Sequence, residues 1–160
     1  MIFVSVGTQL PFPRMMKIIN EWAGNQTEVV VAQTAEVYSE YLNLESYSFL
    51  DAMDFTKYYE AADVIVSHAG MGNIINALQA NKPIIIFPRD AALKEHRNDH
   101  QKSTARKFAN KDGIYVVETR SEFVTAIENI KKGVLQKDIL TAPKELESYI
   151  IKAIDDWSNK

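Results

Sequence analysis

The stretch DVIVSHAGMGNIINALQANKPIIIF, residues 63–87, contains two apolar runs separated by a glycine-containing turn and an amphipathic segment. The runs at 63–67 and 83–87 are rich in Val and Ile, which is typical of strands buried on both faces of a sheet. The segment 72–80 predicts a helix, and Asn81 follows where a helix commonly ends in a left-handed residue. Two adjacent strands joined by a helix lie parallel. The stretch therefore predicts a parallel sheet covered by helices.

The rest of the chain repeats this alternation of short apolar runs and longer amphipathic segments. Further strands are predicted at residues 2–6, 28–33, 46–50 and 114–118. Further helices are predicted at residues 13–23, 54–62 with Asp54 as the N-cap, 99–110, 121–132 and about 143–158. No internal repeat or linker divides the chain. We therefore expect one Rossmann-like, doubly wound α/β domain over residues 1–160.

Composition narrows the class of protein. The 160 residues suffice for one domain, and 46 % hydrophobic with 24 % charged residues is ordinary for a globular chain. A net charge of −3 gives no general attraction to nucleic acid or anionic membranes. The chain has no cysteine, which excludes disulfides and thiolate chemistry. The start MIFVSVG has neither a basic leader nor a long apolar stretch, so we expect a cytosolic protein.

Three polar or glycine-bearing loops follow predicted strands, at residues 7–9 (GTQ), 67–73 (SHAGMGN) and 88–101 (PRDAALKEHRNDHQ). Ligands of doubly wound sheets bind at the carboxyl ends of the strands, where such loops lie. Gly70 and Gly72 allow an anion to approach the backbone, and helix N-termini favour phosphate. The loops therefore predict a diphosphate site.

Two common nucleotide-binding classes are disfavoured. The first loop is not G-x-G-x-x-G, and the second strand ends in Gln33 rather than in an acidic residue that holds a ribose. The chain has no P-loop. Dehydrogenase and NTPase functions are therefore not expected.

Three segments together carry a family resemblance. They are VSVGTQLPFPRM (4–15), VSHAGMGNIINALQANKPIIIFPR (66–89) and EHRNDHQKSTARKFA (95–109). The chain resembles the C-terminal domain of family 28 glycosyltransferases over residues 2 to about 117, and within it the small stand-alone forms. These include the catalytic half of a bipartite N-acetylglucosaminyltransferase and bacterial capsule and exopolysaccharide subunits. The resemblance implies one half of a two-domain GT-B enzyme that holds a UDP-sugar.

The resemblance also implies roles for residues in all three loops. The donor-binding residues would be Gly7, Thr8 and Gln9 on the phosphate side, His68 and the amides of Gly70, Met71, Gly72 and Asn73 around the diphosphate, Arg89 as a charge partner, and His100 and Gln101 at the sugar hydroxyls. Many relatives have a Glu that binds the ribose where this chain has Asn76, which cannot act as a charged acceptor.

The implied reaction is an inverting displacement at the anomeric carbon of the UDP-sugar. Backbone dipoles and His68 or Arg89 would stabilise the leaving UDP, with no metal or other cofactor. His68 and His100 are the expected catalytic residues, in electrostatic or positioning roles. The general base is expected on a partner.

Simpler explanations exist for each feature. Gly70 and Gly72 could only form a tight turn, and His68 could be a satisfied polar residue at a strand end. His96 and Arg97 are expected to be solvated. A metal site from His96, Asp99 and His100 is disfavoured, because the spacing fits no common helical ligand pair.

A single Rossmann-like half cannot close a GT-B cleft. We therefore expect a membrane-associated partner subunit that binds a lipid-linked acceptor and brings this chain to the inner face of the membrane. The expected function is the catalytic, donor-binding subunit of a heteromeric hexosyltransferase in capsule or exopolysaccharide biosynthesis. Alternatives are a non-catalytic nucleotide-sugar-binding regulatory subunit and a UDP-sugar epimerase-like enzyme. The final helix, with Leu146, Ile150 and Trp157 on one face, packs either on this domain or on the partner.

Overall fold

The computed structural model describes residues 1–37, 40–109 and 111–133. Its strands are β1 (Ile2–Ser5), β2 (Val30–Gln33), β3 (Glu45–Tyr47), β4 (Val64–His68), β5 (Ile84–Phe87) and β6 (Ile114–Val116). Its helices are α1 (Pro13–Ala23), α2 (Ala52–Ala61), α3 (Met71–Gln79), α4 (His100–Phe108) and α5 (Arg120–Lys131), with a short 3-10 helix at Ala91–Leu93. The helix expected at about residues 143–158 lies outside the described residues.

The sheet has the strand order β3-β2-β1-β4-β5-β6, and all neighbouring strands are parallel. This is the order of a doubly wound Rossmann-like sheet, so the predicted fold class is confirmed. The order reverses between β1 and β4, which pair from Ile2–Val64 to Ser5–Ser67. Because ligands of such sheets bind where the order reverses, the loops after β1 and β4 are the first place to look for a site.

Two hydrophobic layers cover the sheet. Ile2 and Val4 of β1 point into one layer, which includes residues of α1 and α5 such as Ile19 and Phe123. Phe3 points into the other layer, which includes residues of α3 and α4. The alternation follows from the two-residue period of a strand and explains why the strands are almost entirely apolar.

Some predicted boundaries are wrong in detail. The N-cap of α2 is Asp51, not Asp54, because the Asp51 carboxylate accepts the Asp54 N–H at 2.8 Å. The third strand spans Glu45–Tyr47 rather than residues 46–50, since the backbone N–H of Leu50 leaves the ladder and donates to Gln33 Oε1 at 3.0 Å. The left-handed residue predicted at position 81 is confirmed, with φ of 53°.

Within the described part of the chain, we find no helix that is both long and apolar enough to cross a bilayer.

Candidate functional site

A cleft of about 360 Å³ opens at the carboxyl ends of β1, β4 and β5. It brings together nine residues predicted from sequence: Gly7, Thr8, Gln9, His68, Gly70, Gly72, Asn73, Arg89 and Gln101. Val6, Leu10 and His96 complete the lining. Met71, Asn76 and His100 were also predicted but are not among the lining residues. The three loops therefore form one site, although they are far apart in sequence.

The imidazole of His68 explains two of the glycines. A Cβ on Gly7 would lie 2.8 Å from His68 Cε1, and Gly7 also has a φ of +87°. A Cβ on Gly70 would collide with His68 Nε2. These distances are shorter than van der Waals contact, so both positions require glycine whether or not a ligand is bound. For Gly70, this internal packing is a reason for glycine that the sequence did not reveal, and the predicted anion contact stays a prediction.

Gly72 is different, because a Cβ there would meet no atom of the described residues within 4 Å. It is the second residue of α3, and its backbone faces the cleft. Glycine inside a helix costs roughly 1 kcal/mol relative to alanine, and packing against residues 1–37, 40–109 and 111–133 does not require it here. The N-cap, Gly70, has no side chain to accept the first N–H groups of the helix. The position therefore has both the space and the donors that an anion needs.

His68 is held in a neutral form. Burial and the nearby Arg89 charge lower the pKa of its imidazole to about 4. Its Nδ1 lies 3.3 Å from the Asn73 amide nitrogen and 3.4 Å from Ser67 Oγ, and Ser67 donates to Ser5 O at 2.8 Å. Because an amide nitrogen only donates, a hydrogen bond from Asn73 to Nδ1 requires the tautomer whose proton is on Nε2. At neutral pH His68 can donate a hydrogen bond but carries no positive charge. Of the electrostatic or positioning role predicted for it, hydrogen bonding to the ligand is the part that this neutral ring can perform.

Arg89 lines the cleft, but its terminal N–H groups are bonded to backbone carbonyls. Nη2 donates to Val6 O at 3.1 Å and to Leu10 O at 2.6 Å, and Nη1 donates to Pro11 O at 2.6 Å and to Glu95 O at 3.3 Å. The residue is only 3 % exposed. These donors hold loops of the protein itself, so the guanidinium brings its charge to the cleft with its terminal N–H groups already engaged, and its role as a charge partner for the ligand stays a prediction.

Only some of the polar residues that follow β5 line the cleft. Gln101 lines the cleft, and its Oε1 accepts the Arg89 N–H at 3.2 Å. His100 begins α4 and is exposed outside the lining, so the predicted pair is split. His96, expected to be solvated, is half-buried and lines the cleft. No local sequence signal distinguishes His96, because the path of its loop depends on long-range contacts made by Glu95.

Among the described residues, no group of three His, Cys, Asp or Glu side chains could hold a metal ion.

The parallel sheet with a cleft at its reversal point defines a Rossmann-like, ligand-binding type of domain. The family model "Glycosyltransferase family 28 C-terminal domain" matches residues 1–153. The chain belongs to this family.

Individual relatives agree with this assignment. The chain is 25 % identical over 155 residues to the UDP-N-acetylglucosamine--N-acetylmuramyl-(pentapeptide) pyrophosphoryl-undecaprenol N-acetylglucosamine transferase of Flavobacterium psychrophilum, covering 84 % of this chain and 41 % of that one. It is 32 % identical over 91 residues to the UDP-N-acetylglucosamine transferase subunit ALG13 of Candida albicans, covering 56 % and 30 %. The matches thus span less than half the length of these relatives. The solution structure of ALG13 superposes with a TM-score of 0.64 at 18 % identity, covering 93 % of this chain and 94 % of that one, which supports the fold.

Proposed function

We propose that this chain is the donor-binding, catalytic half of an inverting UDP-sugar glycosyltransferase, and that its donor is UDP-N-acetylglucosamine. The family assignment and the activities for which both relatives are named support this donor. The observation that carries the proposal is the open space over Gly72, at the uncapped N-terminus of α3 inside the cleft. There the first amides of α3 bind the diphosphate.

In the proposed reaction, an acceptor oxygen forms a bond to the anomeric carbon while the bond from that carbon to the β-phosphate oxygen breaks. UDP leaves with the electron pair, and the acceptor proton passes to a base on the partner. The α3 amides and the Nε2–H of neutral His68 stabilise the charge that develops on UDP, without a metal. Gln101, which lines the same cleft, binds the sugar hydroxyls.

The acceptor side lies on a second protein in this proposal. The ALG13 relatives are named as subunits, and this chain matches less than half of the Flavobacterium psychrophilum transferase. The partner binds a lipid-linked acceptor and holds this chain at the inner face of the membrane. A role in capsule or exopolysaccharide assembly is the most specific form of the proposal.

A titration of the full chain with UDP-N-acetylglucosamine, UDP, ADP, GDP and CMP tests the donor site. We expect selective binding of the two uridine nucleotides, with a thermal midpoint that rises by several degrees near saturation, since about a hundredfold excess over Kd adds roughly 2.7 kcal/mol. Equal binding of all five nucleotides, or no binding, contradicts the proposal. Sugar transfer in the presence of the partner then separates a catalytic subunit from a regulatory one.

The matched variants are Gly72→Ala and Gln79→Ala, both on α3. The first places a methyl group in the open space over the helix terminus, whereas the second alters an exposed residue outside the cleft. We expect Gly72→Ala to weaken UDP binding by about tenfold or more through lost charge-assisted hydrogen bonds, and Gln79→Ala to leave it unchanged.

A further inference from the structure

Two loops line the cleft on either side of the loop that follows β4, because β4 lies between β1 and β5 in the sheet, and we call them its two walls. The loop at residues 6–11 follows β1, and the loop at residues 88–96 follows β5 and contains the short 3-10 helix Ala91–Leu93. Loops of this kind move unless other groups tie them down. A cleft that must present several donors to one ligand therefore needs contacts that fix the spacing between its walls.

Arg89 supplies the first of these contacts. Its guanidinium bonds the carbonyls of Val6, Leu10 and Pro11 in one wall and of Glu95 in the other. The guanidinium also lies 4.5 Å from the centre of the Phe12 ring. A planar, fully charged group with fixed donors can satisfy four carbonyls at once, whereas a lysine cannot.

Arg14 supplies the second contact from outside the cleft. It lies on α1 and is not among the lining residues. Its Nε and Nη2 each lie 2.8 Å from one carboxylate oxygen of Glu95, and it also donates to Pro88 O at 2.9 Å. Glu95 Oε2 in turn accepts the Asp90 N–H at 2.9 Å. Arg14 thus holds both ends of the loop after β5.

We propose that Arg14, Glu95 and Arg89 form a brace that sets the spacing between the two walls, and that Arg14 is a positioning residue for the donor. The ligand part of this inference rests on the proposed function. Arg14 acts through Glu95 and the backbone of the loop after β5. The same loop presents His96 to the cleft, and the Arg89 N–H is bonded to Gln101. Loss of Arg14 therefore misplaces groups that line the site.

The test uses the full chain with Arg14→Met, with Arg14→Met/Glu95→Met, and with Arg120→Met as a control. Arg120 pairs with Glu21 at 3.5 Å on the surface and does not line the cleft. Arg120→Met is therefore the same exchange of arginine for methionine at a position outside the site. Two quantities are measured for each variant: amide exchange at Arg89 without ligand, and the Kd for UDP. The Arg89 amide is a suitable reporter because its partner, Gln101, is unchanged in all variants.

We expect Arg14→Met to speed exchange at the Arg89 amide and to raise the Kd for UDP by about tenfold, the effect of one hydrogen-bonded charged contact. The double variant removes both half-buried charges and leaves neither without its partner, so it should recover most of the thermal midpoint while UDP binding stays weak. Arg120→Met should match the wild type in both quantities.

If amide exchange at Arg89 and the Kd for UDP in Arg14→Met both match the wild type, the brace is overturned. A double variant that regains UDP affinity together with its midpoint overturns the positioning role, because stability alone then explains the loss. A wild-type chain that binds no UDP contradicts the proposed function and the ligand part of this inference. In that case the exchange rate still decides whether the brace holds the loops.

Discussion

The imidazole of His68 occupies the space that a side chain on Gly70 would need, with Nε2 at the place where a Cβ of residue 70 would lie. Gly72, two residues later in the same turn, has no such neighbour in the part of the chain that the structure describes. The two glycines of one short motif therefore have different physical causes. One accommodates a side chain of the protein, and the other leaves the helix terminus open.

Gly70→Ala should destabilise the chain by about 1–3 kcal/mol, because the new methyl group must displace the His68 ring in a packed site. Chemical denaturation measures this change. His68→Ala makes room for the methyl group, so the double variant should be more stable than the sum of the two single effects predicts. Strict additivity would show that the overlap is not the cause.

Gly72→Ala should have the opposite effect on the empty chain. Alanine fits the open position and favours the helix, so the free energy of unfolding should rise by about 0.5–1 kcal/mol. Denaturation without ligand gives this value, and the UDP titration of the same variant gives the affinity. Greater stability with weaker UDP binding separates a binding glycine from a structural one. A variant that binds UDP as well as the wild type would refute the role of this position.

Stability should fall as the pH is lowered from about 6.5 to 4. The pKa of His68 is lowered to about 4 by burial and by Arg89, so in this range the unfolded chain binds a proton that the folded chain does not. The contribution of neutral His68 to stability is fully present above about pH 6.5. Up to about 3 kcal/mol of the free energy of unfolding is lost as the pH falls toward 4. Denaturation at several pH values, compared between the wild type and His68→Gln, isolates this part. Parallel curves would place the pKa near its ordinary value.

Arg89→Met should cost about 2–4 kcal/mol, because it leaves backbone carbonyls in the interior without their donors. Arg89→Lys should recover only part of this, since an ammonium group lacks the planar geometry that reaches both loops. Lys132→Met, which removes a surface pair with Glu128, should change stability by less than about 0.5 kcal/mol. Chemical denaturation of the three variants decides whether Arg89 supports the loops, and full stability in Arg89→Lys would argue against the fork geometry.

The alternation of apolar runs and amphipathic segments was sufficient to predict the parallel sheet and the edge at which the cleft lies. Asn81 adopts its predicted left-handed backbone because the cause, the end of a helix, is local. The cap of α2 was misplaced by three residues, because both Asp51 and Asp54 suit a helix start and only the backbone geometry distinguishes them.

The site residues also divide into those that local sequence predicts and those that depend on tertiary contacts. Nine predicted residues line the cleft because strand ends fix where their loops begin. Asn76 and His100 lie outside it because a helix carries its side chains around its axis, so neighbours in sequence face different directions. The sequence did not predict that His96 lines the cleft, because the position of its loop depends on the contact of Glu95 with Arg14, 81 residues earlier in the chain.

The sequence by itself determined the order of strands and helices, the doubly wound class and the three loops that meet at one edge, because hydrophobic periodicity and turn chemistry act over a few residues. Only the tertiary structure decided that Gly70 accommodates His68, that Gly72 is left open, and that Arg89 bonds backbone rather than facing a ligand freely. These outcomes depend on contacts between loops distant in the chain. Such contacts arise from the packing of the sheet and its helices, which no local pattern encodes.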